Sequence, residues 1–171
     1  MPQPTDIFDL GTLSLASGEG RRIDLQVRVD GFDFGGQRYV VEDGAVTATL
    51  DAARMTAGYS LRLRFEARLE GPCTRCLEPA DRGVAVDSRE VDHPGEDEEL
   101  HSPYVEGQDL DVRAWSRDAL ALALPVQIVC REECLGLCAI CGQNLNEAGD
   151  EHHHESAPDP RWAKLGELRF E

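Results

Sequence analysis

The sequence predicts an α+β fold: an antiparallel, β-rich domain with one or two short helices and a region of cysteine knuckles in its C-terminal part. Three observations support this prediction. Apolar and polar residues alternate in several stretches of the first half, a helical pattern follows, and closely spaced cysteines come after that helix. The length of 171 residues fits a single domain, 1–171.

The first 92 residues are predicted to be mostly β. The clearest strand is 59–69, in which every second residue is apolar and the residues between them are polar or charged. Gly71-Pro72 ends this strand directly before Cys73, so the first cysteine pair is predicted to lie at a strand end. Further strands are predicted at 22–29, at 31–41 as a hairpin turning at Gly35-Gly36, at 46–50, and from Val84 onward.

Residues 93–108 are predicted to form an acidic loop, and 109–171 to hold a helix, the cysteine knuckles and a C-terminal helix. Asp111 is a candidate N-cap for a helix running from Val112 to about Leu124, which Pro125 ends. The predicted buried face of this helix consists of Val112, Trp115, Ala119, Leu122 and Ala123. Asp159-Pro160 is predicted to begin the short C-terminal helix, with Trp162, Leu165 and Leu168 on one side.

The charge balance limits the possible partners. Asp and Glu outnumber Lys and Arg by 33 to 17, which gives a formal net charge of −16. Such a surface repels nucleic-acid phosphate, because cationic side chains supply most of the affinity for nucleic acids. We therefore expect a basic protein partner, with any RNA contact indirect or confined to a stripe of Arg62, Arg64 and Arg68 on one strand face.

The chain shows no sign of export or membrane insertion. Its first residues lack the basic and apolar regions of a secretory signal, and its longest apolar run is far below the ~20 residues that a membrane-spanning helix needs. We expect a soluble, cytoplasmic protein. In a reducing cytosol, closely spaced cysteines indicate metal or redox chemistry rather than structural disulfides.

Six cysteines make the strongest chemical statement in the sequence. Cys73 and Cys76 form one Cys-x-x-Cys pair, and four more cysteines follow within twelve residues at Cys130, Cys134, Cys138 and Cys141. Zinc takes four soft or borderline ligands in a tetrahedron, at about 2.3 Å for sulfur. The spacing predicts a zinc region of cysteine knuckles, with one ion or two.

Two ligand groupings are compatible with this spacing. In one, both Cys-x-x-Cys pairs share an ion as in a zinc ribbon, with Cys73 and Cys76 joined by Cys138 and Cys141. In the other, Cys73 and Cys76 pair with Cys130 and Cys134. Cys138 and Cys141 are then left to recruit two of the three histidines at His152, His153 and His154.

Other functions are less well supported by the residues. A thioredoxin-like Cys-x-x-Cys opens a helix beside a βαβ unit, whereas Cys73 follows Gly-Pro after a strand. A catalytic zinc keeps an open coordination position, and the chain contains no H-E-x-x-H, no G-x-S-x-G and no phosphate-binding glycine loop. We therefore predict that the protein is not an enzyme. A redox-regulated zinc chaperone is the alternative.

The chain resembles the YceD family, which is named for accumulation of large-subunit ribosomal RNA. The resemblance covers residue 60 or so to the end and rests on motifs that occur in the same order. They are Cys73-Thr-Arg-Cys-Leu-Glu-Pro79, Leu122-Ala-Leu-Pro125, Cys130-x-x-x-Cys-x-Gly-Leu-Cys-x-x-Cys-Gly-x-Asn-Leu-Asn146, and Asp159-Pro-Arg161 with Leu165 and Leu168.

The resemblance implies a bacterial or plastid protein needed for normal amounts of large-subunit ribosomal RNA and acting in ribosome assembly. The acidic surface predicts that its partner there is a basic ribosomal protein or assembly factor. It favours Cys73, Cys76, Cys130 and Cys134 as the primary site. Many relatives carry a Cys-x-Cys after the Asn-Leu-Asn segment, where this chain has His152, His153 and His154. The resemblance therefore implies a second site of altered ligand type, with His152 and His154 as candidate ligands beside Cys138 and Cys141.

Overall fold

Two antiparallel sheets and two helices form the part of the chain that the computed structural model describes, which is residues 5–95, 101–149 and 152–154. The strands are β1 Ile7–Asp9, β2 Gly20–Arg28, β3 Phe32–Phe34, β4 Gln37–Val41, β5 Ala45–Arg54, β6 Tyr59–Pro72, β7 Pro79–Asp92, β8 Val105–Glu106 and β9 Asp109–Asp111. The helices are α1 Val112–Ala123 and α2 Leu145–Ala148, and short 3₁₀ turns span Leu10–Leu13 and Glu42–Gly44. The predicted α+β class with mostly antiparallel sheet is confirmed.

The larger sheet is organised around β6. Strand β7 pairs with β6 over its whole length, from Tyr59 opposite Asp92 to Pro72 opposite Pro79. The other edge of β6 is shared, since β5 pairs with its first half and β4 with Leu69 and Glu70. Strand β2 continues the sheet beyond β5, and β3 continues it beyond β4. The β6–β7 hairpin therefore carries its connecting loop to one end of the sheet.

Alternation along β6 gives the large sheet one buried and one exposed face. Leu61, Leu63 and Leu69 are at most 1% exposed, whereas the intervening polar side chains face outward. Helix α1 packs over the buried face, where Trp115 Nε1 donates to Ser88 Oγ of β7 at 2.9 Å. The opposite face, from here on the outer face, has no described helix or strand over it.

Helix α1 begins as predicted and differs at its end. The carboxylate of Asp111 caps it by accepting from Ala114 N at 2.8 Å. Its buried residues are Val112, Trp115, Ser116, Ala119 and Leu120. The predicted burial of Leu122 and Ala123 is wrong: Leu122 is 89% exposed and Ala123 is also exposed. Both continue the helical stripe in register, but no described element covers the last turn, so periodicity alone overestimated the buried face.

The region predicted as an acidic loop, 93–108, contains a short strand that local pattern did not indicate. Strand β8 pairs with β9, and β9 pairs with β1 near the start of the chain, making the small sheet. The pairing buries Leu110 completely. A strand of two residues has too little sequence to show alternation, and its partners come from a distant segment.

Two further findings bear on the predictions. In the described residues, neither helix has the length and apolar character needed to cross a bilayer. The predicted C-terminal helix after Asp159-Pro160 lies outside the described residues.

Candidate metal centre

The first cysteine pair occupies the loop of the β6–β7 hairpin. Cys73 N donates to the carbonyl of Glu78 at 2.7 Å, and Leu77 N donates to the carbonyl of Cys73 at 3.0 Å. These bonds fold the loop back on itself, and Leu77 takes a φ of +65° to complete the turn. A leucine in the left-handed region is sterically strained, because its Cβ approaches the following carbonyl.

The second Cys-x-x-Cys pair has the same backbone pattern. Cys138 N donates to the carbonyl of Gln143 at 2.8 Å, and Gly142 N donates to the carbonyl of Cys138 at 2.8 Å. Gly142 stands where the first loop has Leu77, with a φ of +74° that glycine adopts freely. The two loops, here the first and second knuckles, thus present their sulfur atoms from equivalent turns.

The segment after α1 is held against the first knuckle by hydrogen bonds. The carbonyl of Ile128 accepts from the backbone N of Thr74 at 2.8 Å and from its hydroxyl at 3.0 Å. The guanidinium of Arg75 donates to Gln127 Oε1 at 3.1 and 3.2 Å and to the carbonyl of Cys134 at 3.0 Å. These contacts bring Cys130 and Cys134 next to the hairpin loop.

Four thiols from these two segments form the first cluster: Cys73, Cys76, Cys130 and Cys134. Their sulfur atoms all lie within 4.8 Å of one another, with 3.8 Å between Cys73 and Cys134 and 3.6 Å between Cys76 and Cys130. Four sulfurs at about 2.3 Å from one tetrahedral ion would be about 3.8 Å apart. The spacing is therefore that of a metal tetrahedron, and far longer than the ~2.05 Å of a disulfide.

The first cluster belongs to the core of the domain. Cys73 is 0% exposed, and Cys76 and Cys134 are 3% exposed, while Cys130 closes the outer side. Three of the four thiols are therefore buried without a disulfide, and together with the exposed Cys130 they form a donor set suited to a soft or borderline cation.

Hydrogen bonds divide the thiols of the first cluster into two kinds. Burial by itself raises the pKa of Cys73, but backbone N–H groups of Cys76, Cys130 and Arg75 outweigh it and lower the pKa to about 6. Burial dominates at Cys76 and raises its pKa to about 12. The side-chain amide of Asn146 lowers the pKa of Cys134, whereas desolvation raises that of Cys130. Without a cation the four thiols therefore do not ionise together, and a bound cation would favour the thiolate at each of them.

The second cluster consists of Cys138, Cys141, His152 and His154. Its ligand atoms also lie within 4.8 Å of one another; Cys141 Sγ is 3.6 Å from His152 Nε2, which is 3.0 Å from His154 Nε2. Cys141 and His154 are exposed. Backbone N–H of Cys141, the His152 side chain and backbone N–H of Ile140 lower the pKa of Cys138 to about 6.

Backbone contacts join the two clusters. Leu137 N donates to the carbonyl of Arg75 at 3.1 Å, and this hydrogen bond attaches the second knuckle to the first. Gly136 makes the approach possible: a Cβ there would lie 3.2 Å from that carbonyl oxygen, and its φ is +79°. Asn146 accepts from Leu135 N at 2.9 Å and donates its amide to Cys134 Sγ at 3.4 Å. Arg75 and Asn146 were missed as site residues, although both stand inside the cysteine motifs.

All eight predicted site residues are brought together, in two groups of four. The structure adopts the grouping of Cys73 and Cys76 with Cys130 and Cys134, not the zinc-ribbon grouping with Cys138 and Cys141. Of the three histidines, His152 and His154 approach the second pair, while His153 is exposed and stands outside the group.

The arginine stripe lies on the outer face, and each of its three guanidiniums forms an ion pair with an aspartate. Arg62 forms a two-pronged contact with Asp87 at 2.7 and 2.5 Å, Arg64 binds Asp51 at 2.7 Å, and Arg68 binds Asp81. The carboxylates offset the positive charge of the guanidiniums, so the stripe carries little net charge.

The fold defines a β-rich domain in which two groups of cysteine and histidine side chains have the arrangement that could hold a metal ion. The chain belongs to the YceD family, since the family model "Large ribosomal RNA subunit accumulation protein YceD" matches residues 61–169. The matched region begins in β6 and contains all six cysteines.

Curated relatives of the chain include uncharacterized bacterial proteins and a plant protein that carries the family name. Uncharacterized proteins of Mycobacterium tuberculosis and Mycobacterium bovis are 33% identical over 168 residues, which is 93% of this chain and 68% of theirs. A Zea mays protein named "Large ribosomal RNA subunit accumulation protein YCED homolog 1, chloroplastic" is 38% identical over 50 residues, 29% of this chain and 17% of that protein. No solved structure matches the chain.

Proposed function

We propose that the protein is a zinc-binding, non-enzymatic factor of large ribosomal subunit biogenesis in the bacterial cytoplasm, needed for accumulation of large-subunit ribosomal RNA. The first cluster is the observation that carries the proposal, because four thiols from distant segments meet in the core of a chain whose family is named for this accumulation. The family description names a process and no reaction.

Zinc fits the donor sets of both clusters. Cys73, Cys76, Cys130 and Cys134 would supply four sulfur ligands, and Cys138, Cys141, His152 and His154 would supply two sulfurs and two imidazole nitrogens. Both are four-ligand sets of the kind that closes structural zinc sites. Neither leaves a position for a substrate or an activated water, in keeping with a structural role.

Metal at the first cluster would tie the end of the β6–β7 hairpin to the segment after α1. The chain's own contribution is to bring the two segments together through the Thr74–Ile128 and Arg75–Gln127 hydrogen bonds. Because an unfolded chain does not present the four thiols together, ion binding supplies folding free energy to this end of the domain. The result is a rigid platform that presents the outer face.

The partner that best suits this platform is a basic ribosomal protein or ribosome assembly factor. A net charge of −16 attracts cationic proteins and repels RNA. Pairing of Arg62, Arg64 and Arg68 with aspartates weakens the one surface that the sequence suggested for direct RNA contact. Any contact with RNA is therefore indirect in this proposal.

The decisive experiment is deletion of the gene, with ribosomal particles separated on sucrose gradients and both ribosomal RNAs quantified. We expect a deficit of large subunits and of their RNA that the wild-type chain restores. Normal particle profiles and normal RNA amounts in the deletion strain would contradict the function.

Metal content tests the other half of the proposal. We expect two zinc ions per wild-type chain by elemental analysis of reduced, carefully prepared protein, and one ion in each of the Cys130→Ser and Cys138→Ser variants. Protein that folds normally without any bound metal would contradict zinc binding.

A redox-regulated zinc chaperone is the second candidate, and the exposure of the second cluster favours it. Cys141 is exposed, and the lowered pKa of Cys138 makes it a thiolate near neutral pH, the form that oxidants attack. Peroxide would then release zinc and switch on suppression of aggregation. Zinc retained under peroxide, with unchanged suppression of aggregation, would rule this candidate out.

A further inference from the structure

The outer face of the large sheet has two parts of different character. At the end where β2, β5 and β6 run together, charged side chains neutralise one another: Arg22 and Arg64 both bind Asp51, and Arg62 binds Asp87. Paired charges of this kind are well solvated and offer little to a partner. We therefore interpret this part of the outer face as a solvated surface.

At the other end the sheet splits. Strand β5 pairs with β6 only as far as Arg64, and β4 joins β6 only at Leu69 and Glu70. A cleft of about 880 Å³ lies in the gap, with Glu42, Asp43 and Glu66 on its walls. Each of these carboxylates is exposed, and none has an ion-pair partner among the described residues.

The charge of this cleft is strongly negative despite one arginine on its wall. Arg68 is already bound to Asp81. The hydrogen bond that Arg68 donates to Asp81, and the further charges of Glu42 and Glu70, raise the pKa of Arg68, so its guanidinium lies among several carboxylates. One cation therefore faces an excess of anions, and we name this gap the acidic cleft.

A second groove, of about 630 Å³, lies beside the first knuckle. Its apolar lining residues are Val40, Pro72, Leu77, Pro79 and Ala80, and Glu70 is among its charged ones, so we name it the apolar groove after the aliphatic part of its lining. Val40, on β4, is 43% exposed and Leu77, in the hairpin loop, is 52% exposed, so both aliphatic side chains of this groove are accessible to a partner. Two other charged residues of the groove already have ion-pair partners: Arg38 binds Asp33, and Asp81 binds Arg68.

Leu77 is placed in this groove at a conformational cost. The matching position of the second knuckle is Gly142, which takes the same left-handed backbone without strain. Glycine would thus serve the turn of the first knuckle equally well. A strained residue whose side chain is exposed on an apolar surface is what a binding role would produce, because strain persists where another requirement overrides it.

We propose that the acidic cleft and the apolar groove together dock a lysine- or arginine-rich segment of a partner protein, with an apolar side chain of that segment seated against Leu77 and Val40. Charge complementarity identifies the occupant: the carboxylates of the cleft favour cations, and the groove beside them accepts an aliphatic or aromatic anchor. The proposal rests on the proposed function, for which it names the binding surface and the chemistry of the partner.

The test measures binding of two synthetic peptides to the zinc-loaded full chain by calorimetry at low salt. One peptide consists of lysines and glycines with a single central leucine, and the other has serine in place of that leucine. We expect the leucine peptide to bind more tightly, and both to bind more weakly as salt rises, since salt screens the charges.

Three variants locate the binding surface. Leu77→Gly keeps the left-handed turn, so it should leave the zinc content unchanged and abolish the preference for leucine. Glu42→Lys with Glu66→Lys should weaken both peptides roughly tenfold, because two attractive contacts become repulsive. The matched control is Glu106→Lys with Asp109→Lys, an equal charge change on exposed residues of β8 and β9, which should cost far less.

The variant Glu42→Lys with Glu66→Lys is the cleft variant. If it and the matched control lose the same amount of peptide affinity, the proposal is overturned, because binding would then follow the overall charge of the protein. No preference for the leucine peptide would overturn it as well. Displacement of the peptide by a ribosomal RNA fragment, with that RNA bound by the same residues, would show that the surface is a nucleic-acid site and would also overturn it.

Complementation separates this proposal from the proposed function. If the wild-type chain restores large-subunit RNA in the deletion strain and the cleft variant with Leu77→Gly does not, both stand. If that variant also restores the RNA, the docking surface is wrong and the function stands. If deletion leaves ribosomal RNA unchanged, the function is wrong, and the peptide measurements alone decide the docking surface.

Discussion

The two knuckles follow the same backbone path and lie in opposite environments. Each closes its turn with one hydrogen bond across the loop and one back to the first cysteine, at nearly identical distances. The thiols of the first knuckle are buried with the core, whereas Cys141 of the second is exposed. The difference teaches that a Cys-x-x-Cys pair determines a turn, and that the surrounding chain determines whether the turn holds the domain together.

Their partners explain the difference. The first knuckle draws Cys130 and Cys134 from a segment more than fifty residues away in sequence, as the separation of 54 between Cys76 and Cys130 shows. The second knuckle draws its histidines from only 11 residues beyond Cys141, in the pairing with His152. Closing the longer loop restricts the unfolded chain more, so an ion bound at the first cluster would contribute more to stability than one bound at the second.

Substituting one cysteine in each knuckle should show the largest difference between the two knuckles. Cys76→Ser is expected to lower the free energy of unfolding by on the order of 3–5 kcal/mol, a part of the roughly 10 kcal/mol that structural zinc contributes in zinc-finger peptides. Cys141→Ser removes a ligand from an exposed cluster and should cost less than about 1 kcal/mol. Chemical denaturation followed by circular dichroism, with zinc content measured on the same samples, gives both values. Equal losses would show that the second knuckle is also structural.

A pair of glycine substitutions should have the next largest effect. Gly136→Ala adds a Cβ 3.2 Å from the carbonyl oxygen of Arg75 at a φ of +79°, so it combines strain with pressure on the junction between the knuckles. We expect a loss of about 2–3 kcal/mol. At Gly142, with a φ of +74°, a Cβ meets nothing within 4 Å, so Gly142→Ala should cost only the strain, about 1 kcal/mol.

Thermal unfolding of the zinc-loaded variants compares the two substitutions. Zinc content should fall for Gly136→Ala and stay unchanged for Gly142→Ala. The reverse order of stabilities would mean that the junction at Arg75 is not where the second knuckle attaches.

The smallest expected effect concerns the pH dependence of the metal-free, reduced protein. The pKa of Cys138 is lowered to about 6 and that of Cys76 is raised to about 12. Iodoacetamide should therefore alkylate Cys138 with a midpoint near pH 6 and leave the buried, protonated Cys76 unmodified at neutral pH. Peptide mapping by mass spectrometry reports both residues.

The lowered pKa of Cys138 also determines how folding stability depends on pH. Because the folded pKa of Cys138 lies below the ordinary value of 9.0, its contribution is fully present above pH 9.0 and is lost as the pH falls through about 6. Cys76 acts in the opposite sense, since its contribution is lost as the pH rises above 9.0 toward about 12. Equal alkylation of Cys76 and Cys138 at neutral pH would contradict the assigned environments.

Local pattern predicted the elements whose signal lies within a few neighbouring residues. The alternation of 59–69 predicted β6 and its outward-facing arginines, and Asp111 predicted the start of α1. The hairpin at Gly35-Gly36 was predicted from its glycines, both of which have positive φ. Each of these signals is steric or periodic, so it acts without knowledge of the rest of the fold.

Features that depend on distant contacts were missed or left open. Leu122 has the periodicity of a buried residue and is 89% exposed, because burial requires another element over that turn. Strand β8 needed β9 and β1 as partners. The roles of Arg75 and Asn146 appear only when the segments that they join are side by side.

The sequence by itself determined the strands of the large sheet, the helix start, the negative charge and the two cysteine turns, because alternation, capping and tight turns are local. Tertiary structure decided which thiols meet, which cluster is buried, and which guanidiniums are neutralised. The physical reason is that the loop of the β6–β7 hairpin, which holds Cys73 and Cys76, contacts a segment far away in the sequence, as the hydrogen bonds from Thr74 to the carbonyl of Ile128 show. The residues beside each cysteine do not indicate such a long-range contact.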